Sequence, residues 1–297
     1  MIKGIFPPIA TPFSNDEVAY SKLVENLEKW NETDLSGYVV LGSNGESVFL
    51  TRDEKVKLVE TVKKNIPKNK KLIAGTGSDS IKATISLTNE TADAGADLAL
   101  VLTPFFFKDA MKHDVLLRYY FEVAEKSVIP VIIYNVPKFT GVNIEADTVA
   151  KLAEHPNIIG IKNSSTNAAH LAEIIYKTPK GFSCIVGTAS ILFSGLSLGA
   201  AGGILALANI APNKCVQVQK LFDEGKIVEA AKLQKSLFDI NKAVTSKYGI
   251  AGLKAAMDLI GFYGGLPRSP LNGLNGSQIE DLKSILSEAN IKITVEN

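Results

Sequence analysis

Apolar residues along the 297-residue chain fall into two alternating kinds of stretch. One kind is short, strand-length and rich in Val, Ile and Leu. It recurs as "GIFPPIA" from Gly4, "GYVVLG" from Gly37, "KLIAGTG" from Lys71 and "DLALVLTP" from Asp97. It continues as "IPVIIYN" from Ile129, "IIGIK" from Ile158, "CIVGTA" from Cys184 and "GGILALA" from Gly202. Gly, Pro, Ser or Asn closes each run, which predicts strands. Between the runs the apolar positions take helical spacing: Leu23, Leu27 and Trp30 form one stripe, and Val56, Val59 and Val62 belong to another. "TRDE" (Thr51 to Glu54) predicts a helix start, with the Thr51 hydroxyl bonding a free amide and Glu54 reaching back as a capping box.

Eight strand-like runs alternating with helices predict a parallel α/β fold, and eight units in this length suit a closed (β/α)8 TIM barrel. An open doubly wound sheet requires a Gly-rich fingerprint after the first strand, where this chain has "PPIATPF". "GTGSDS" (Gly75 to Ser80) lacks the third glycine and follows the third strand, so it reads as a tight strand-to-helix turn. After about Asp223 the pattern becomes helical, broken once by the turn-rich "YGGLPRSPLNGLNG". The expected organisation is a catalytic barrel over residues 1–223 and a C-terminal helical extension over 224–297 packed on it.

Composition narrows the function more than the fold. With 46% hydrophobic and 21% charged residues the chain can bury a substantial core. A net charge of +1 gives no basic field for nucleic acid. Cys184 and Cys215 make no disulfide framework and read as buried, reduced thiols of a cytoplasmic protein. The apolar N-terminus carries Pro7 and Pro8 without a cleavage pattern and reads as a first strand. From Gly181 to Asn213 no residue is charged, but glycines interrupt the stretch, so a buried strand–helix–strand unit is expected rather than a membrane span.

In such a barrel the chemistry sits where strands end, on the carboxyl-terminal face. The polar strand ends are "GSNGES" (Gly42 to Ser47), "TPFFFKD" (Thr103 to Asp109), Tyr134–Asn135, Lys162–Asn163–Ser164 and Gly187–Thr188. His113, His155 and His170 are scattered and read as surface or capping residues; neither a metal motif nor a nucleotide-binding loop is present. Lys162 has two readings. An ammonium at the mouth of an apolar barrel is hard to keep charged, and the neutral amine is an imine-forming nucleophile. The bland alternative is a snorkelling lysine paired with a loop carboxylate. Tyr134, on the preceding strand, is either a proton shuttle or a packing tyrosine with a bonded tip. "GSNGES" is either a plain glycine turn or an anion nest for a carboxylate, with Ser43 and Asn44 adding donors.

"GSNGES", "YNVPKFTG", "GIKNSS" and the tail "AVTSKYGIAGLKAAMDLIGFYGGLPRSPL" stand in order at matching spacing. Together they resemble the N-acetylneuraminate lyase and dihydrodipicolinate synthase superfamily over nearly the whole chain. The resemblance implies a class I, Schiff-base pyruvate aldolase on a (β/α)8 barrel with a helical extension. It implies no external cofactor, the covalent imine with pyruvate forming at Lys162, and a cytoplasmic homotetramer built as a dimer of dimers. It casts Lys162 as the imine lysine and Tyr134 as proton donor and acceptor. Ser43 becomes a proton relay that, with Asn44, binds the substrate carboxylate, while Gly187, Ile204 and Ser164 line the substrate.

Two departures bear on which member it is. The synthases place an arginine where this chain has Phe139, and that arginine grips the second substrate's carboxylate bidentately. Neighbouring Lys138 is only a point charge. The family often has a relay tyrosine at the position of Phe106, which has no hydroxyl, leaving Ser43 or a water to complete the relay. The tail and the "GSNGE" variant look closest to 4-hydroxy-2-oxoglutarate aldolases. The expected function is therefore a lyase that cleaves or forms a 4-hydroxy-2-oxo acid, of the 4-hydroxy-2-oxoglutarate or 2-keto-3-deoxy sugar acid type, releasing pyruvate and an aldehyde. The alternatives are 4-hydroxy-tetrahydrodipicolinate (dihydrodipicolinate) synthase and a non-catalytic 2-oxo-acid-binding relative.

Overall fold

The short β-branched runs become strands and the stretches between them become helices, repeated around a ring. The computed structural model describes residues 2–294. The strands are β1 (Gly4–Phe6), β2 (Gly37–Val40), β3 (Lys71–Gly75), β4 (Leu98–Leu102), β5 (Val131–Asn135), β6 (Ile158–Asn163), β7 (Ser183–Val186) and β8 (Gly202–Ile204). They form one parallel sheet in the order β1-β8-β7-β6-β5-β4-β3-β2. The ends of this order meet where Pro8 bridges Val39. There the Val39 amide donates to the Pro7 carbonyl at 3.0 Å, and the Ile9 amide donates to the Val39 carbonyl at 2.9 Å. The result is the (β/α)8 barrel expected from the run count. Pro7 and Pro8 lack N–H groups, so β1 stops at Phe6, earlier than its apolar run.

The outer ring holds α1 (Tyr20–Asn31), α2 (Arg52–Asn65), α3 (Ile81–Asp93) and α4 (His113–Lys126), then the short α5 (Pro137–Thr140) and α6 (Ala146–Leu152). It is completed by α7 (Ala168–Lys177), α8 (Leu192–Leu198) and α9 (Pro212–Asp223). The α2 start is the capping box read from "TRDE": the Thr51 amide donates to Glu54 Oε2 at 2.8 Å and the Glu54 amide to Thr51 Oγ1 at 3.3 Å. Leu23, Leu27 and Trp30 are fully buried on α1, whereas on α2 Leu58, not Val56, joins Val59 and Val62 in the core. Each such buried side chain contributes about 1.5–3 kcal/mol.

Two apolar regions result. The larger lies between strands and helices; the smaller fills the barrel interior, where Phe6, Val39, Ile132, Tyr134, Ile185 and Ile204 meet. The uncharged stretch from Gly181 folds as β7, α8 and β8, and among the described residues no helix is long and apolar enough to cross a membrane. Cys184 and Cys215 are free and buried.

After α9 come α10 (Ile227–Ser236), α11 (Phe238–Lys242), a π-helical turn over Ala243–Lys247, α12 (Gly249–Leu259) and α13 (Gly276–Glu288). These helices lie against the barrel through specific bonds. Gln234 Nε2 donates to the Ala189 carbonyl at 2.6 Å, Asn241 Nδ2 donates to Ser190 Oγ at 2.7 Å, and the Phe262 ring stacks on Trp30 at 5.2 Å.

Candidate active site

Lys162 and Tyr134 stand on neighbouring strands and are direct partners in the β5–β6 register. Both are buried, with 3% and 5% of their surface exposed, so Lys162 is not the snorkelling lysine of the bland reading. Lys162 Nζ lies 4.0 Å from the centre of the Tyr134 ring, and no carboxylate is bonded to it among the described residues. The register depends on an irregularity. Val131 pairs with Ile158, but Ile132 pairs with Gly160, so β6 carries one extra residue, Ile159. Ile158 and Ile161 belong to the outer core, while Ile159 packs into the interior. Such bulges re-aim side chains near sites.

The next pair along, Asn135 and Asn163, locks the two strand ends. Asn135 Nδ2 donates to Asn163 Oδ1 at 3.1 Å, and Asn163 Oδ1 also accepts the Ser165 amide at 3.0 Å. His170 completes this underlayer, its ring bonded to the Ile144 carbonyl at 3.0 Å. It is buried, which corrects its reading as a surface or capping residue.

Ser43 opens a 3-10 turn over Ser43–Gly45. The first amides of such a turn have no partner inside it and face outward as donors. Ser43 Oγ is 3.4 Å from Tyr134 Oη, which joins the turn to the lysine–tyrosine pair. Asn44, half-buried, is the next residue of the turn. Burial alone would raise the Tyr134 phenol; the Lys162 charge and hydrogen bonding from Ser43, Lys162 and Ser164 outweigh it and hold the phenol below its ordinary value.

Gly187 and Ser164 fit together: a Cβ on Gly187 would lie 1.9 Å from Ser164 Oγ and 2.8 Å from its Cα. The Gly187 amide donates to the Asn163 carbonyl at 2.8 Å. Ile204, fully buried, ends β8 in the same interior cluster as Tyr134. The sequence-read residues therefore converge on one end of the barrel. Phe106 and Phe139 do not join them in the interior. They are 76% and 62% exposed, and the Phe105 and Phe106 amides are pinned to Asp79 Oδ1 at 2.7 and 2.8 Å.

Sequence reading missed the groups behind the turn. Glu46, in the left-handed conformation at φ 53°, is buried and pairs with Lys254 Nζ at 2.6 Å. Arg268 donates twice to the Glu54 carboxylate, at 2.7 and 2.8 Å, and once to the Phe49 carbonyl at 3.0 Å. Burial pushes the Lys254 ammonium below its ordinary value against the pull of Glu46. The turn glycines and the capping box were visible, but nothing in the pattern tied them to charges more than 200 residues on.

A closed parallel barrel with a buried lysine set against a tyrosine at the carboxyl-terminal ends of its strands is the setting expected of a lysine-imine aldolase. The Dihydrodipicolinate synthetase family profile matches residues 1–289, and the chain belongs to that family. Members are Schiff-base lyases and synthases that hold pyruvate as an imine on a lysine without an external cofactor. The chain is 35% identical over 295 residues to the 4-hydroxy-tetrahydrodipicolinate synthase of Methanothrix thermoacetophila, covering 97% of this chain and 98% of that one. The fold matches the dihydrodipicolinate synthase of Thermotoga maritima with TM-score 0.94 and 27% identity, covering 98% and 100% of the two chains. It matches a prophage protein of E. coli K12 from the same family, solved in complex with pyruvate, with TM-score 0.93 and 27% identity over 98% and 100%. The expectation of closest likeness to 4-hydroxy-2-oxoglutarate aldolases is not supported, since the similar curated proteins carry the synthase name.

Proposed function

We propose that the chain joins pyruvate to an aldehyde, or splits their adduct, through an imine at Lys162. The observation that carries this is the buried Lys162 ammonium 4.0 Å from the Tyr134 ring, opposite it in register. The amine attacks the ketone carbon of pyruvate, and the carbinolamine loses water to give the imine. Tyr134 supplies and recovers the protons, with Ser43 as its relay partner. The pyruvate carboxylate takes the amides and side chains of Ser43 and Asn44, while Gly187, Ser164 and Ile204 line the substrate. The iminium accepts electrons as the enamine forms, which serves condensation and cleavage alike. Residues 1–223 carry this chemistry and 224–297 brace it, in a cytoplasmic enzyme. Borohydride reduction in the presence of pyruvate, followed by peptide mapping, is expected to place one reduced pyruvate on Lys162. An unmodified Lys162 overturns the reading.

The aldehyde has two readings, each favoured by a different observation. The names of the similar proteins favour aspartate semialdehyde, the condensation of a 4-hydroxy-tetrahydrodipicolinate synthase. Phe139 favours the second, an aldolase acting on a 4-hydroxy-2-oxo acid, because a phenyl ring cannot fork onto a carboxylate. Lys138 is turned elsewhere, its Nζ donating to the Thr245 carbonyl at 3.2 Å. Pyruvate consumption with aspartate semialdehyde, coupled to the downstream reductase, is measured beside pyruvate release from 4-hydroxy-2-oxoglutarate and 2-keto-3-deoxy acids. Turnover in only one assay selects the reading. A homotetramer belongs to the same proposal. The exposed rings of Phe106 and Phe107, packed edge to face at 5.0 Å, support a subunit contact, and sedimentation of the purified chain tests it.

A further inference from the structure

The carboxylate turn is held from behind by an ion pair that the chemistry does not use. Glu46 closes the turn: its amide donates to the Ser43 carbonyl at 3.1 Å, and its backbone is left-handed at φ 53°. A non-glycine residue keeps that conformation only where its surroundings over-determine it. Here they do. One carboxylate oxygen of Glu46 meets Lys254 Nζ at 2.6 Å, and the other accepts the Arg268 amide at 2.9 Å.

Lys254 is fully buried on α12. It donates to the Leu266 carbonyl at 3.0 Å and sits 4.3 Å from the Phe13 ring centre. Arg268 is anchored in turn to Glu54 and to the Phe49 carbonyl, on the segment that leaves the turn. On the other side, Thr11 Oγ1 donates to the Gly45 carbonyl at 2.7 Å. A buried ion pair is a weak source of stability, and a well-packed apolar pair commonly replaces it without loss. Its directional bonds do tie Glu46, and with it the end of the turn, to α12 and to the Arg268 amide.

We propose that Glu46 and Lys254 are positioning residues, through which the helical extension sets the Ser43–Asn44 donors for the carboxylate of the 2-oxo acid. The proposal rests on the imine reading above and names what orients its first binding step. It weights affinity above chemistry: loosening the turn weakens pyruvate binding first, while Lys162 and Tyr134 keep their places on their own strands and only the Ser43 relay contact moves with the turn.

The test uses the full chain and the borohydride-trapped adduct at Lys162. It measures the pyruvate concentration giving half-maximal trapping, the trapping rate at saturation and the melting temperature. Glu46→Ala and Lys254→Met are expected to raise the half-saturating concentration on the order of 10–100-fold, the loss that goes with displacing charge-assisted donors from a carboxylate. The saturated rate is expected to fall by a smaller factor than half-saturation rises, because only the Ser43 contact to Tyr134 moves with the turn. Glu46→Gln combined with Lys254→Met removes both charges yet keeps an acceptor for the Arg268 amide, so it recovers part of the loss and folds even if the single variants do not. Val149→Ala, in the buried face of α6, serves as a stability control that lowers the melting temperature without moving half-saturation. Unchanged half-saturation in the folded variants, or an equal rise in Val149→Ala, overturns the proposal alone. Absence of the adduct in the unaltered chain overturns the imine reading and this proposal with it.

Discussion

Lys162 faces Tyr134 because of an extra residue between them and the start of their strands. Val131 and Ile158 are partners at the start, and three residues of β6 but only two of β5 separate them from the pair. Were β6 paired through Ile159 without that shift, Tyr134 would oppose Ile161, which belongs to the outer core. The juxtaposition thus belongs to the strand pairing and not to a flexible loop. It places the ammonium against the ring, with the Tyr134 hydroxyl 3.4 Å from Ser43 Oγ.

Tyr134→Phe keeps the ring under Lys162 and removes only the proton carrier. Turnover is expected to fall by roughly 10²–10⁴-fold, the usual contribution of a positioned acid–base group. The melting temperature should change little. Steady-state rates beside thermal melting check this; a rate within twofold of the parent removes Tyr134 from the chemistry.

Gly187→Ala introduces a Cβ where Ser164 already sits, 1.9 Å from its hydroxyl oxygen and 2.8 Å from its Cα. Because backbone as well as side chain is in the way, the β6 end must shift. A stability loss of about 1–3 kcal/mol is expected, accompanied by a larger proportional loss of adduct formation than a stability change alone gives. Urea unfolding and borohydride trapping on the same samples separate the two.

Phe139→Arg restores a guanidinium fork at the strand-five loop. If position 139 faces the second substrate, the preference for aspartate semialdehyde over an uncharged aldehyde rises by about tenfold or more, since charge-assisted pairs contribute about 1.5–3 kcal/mol. Competition between the two aldehydes with pyruvate in excess measures it. An unchanged ratio shows that the side chain at 139 lies away from the aldehyde.

Glu54 makes stability depend on acid pH. Hydrogen bonding from Arg268, opposed by partial burial and helped by the Thr51 amide, holds its carboxyl at about 2, below the ordinary 4.5. A folded-state value below the unfolded one gives stability that is present above about pH 4.5 and lost as pH falls toward 2. Allowing for solvent screening, this amounts to about 1 kcal/mol at most. Glu54→Gln retains the capping box but not the charge. The gap in urea midpoint between parent and variant should therefore be wide at pH 6 and narrow at pH 3.

The barrel was legible because each strand announces itself as an apolar run and each helix as a stripe. Lys162 and Tyr134 were legible because they interrupt such runs with polar groups at strand ends. The β6 bulge was not, since Ile158 and Ile159 are both apolar and a register slip leaves no mark in composition. Glu46 and Lys254 were hidden for the opposite reason: charged residues in a turn and on a helix read as solvent-facing, and only tertiary packing buries both. His170 was misread on the same ground.

The closure of the barrel has a consequence during synthesis. Gly4 pairs with Gly202, so the first strand to leave the ribosome is the last to gain both neighbours. At about 5–20 residues per second, the intervening chain takes roughly 10–40 s to appear. For that interval β1 has an unpaired edge, which Pro7 and Pro8 shorten by withholding two donors from any foreign strand. The same prolines that truncate the strand in the finished barrel guard the nascent chain against mispairing.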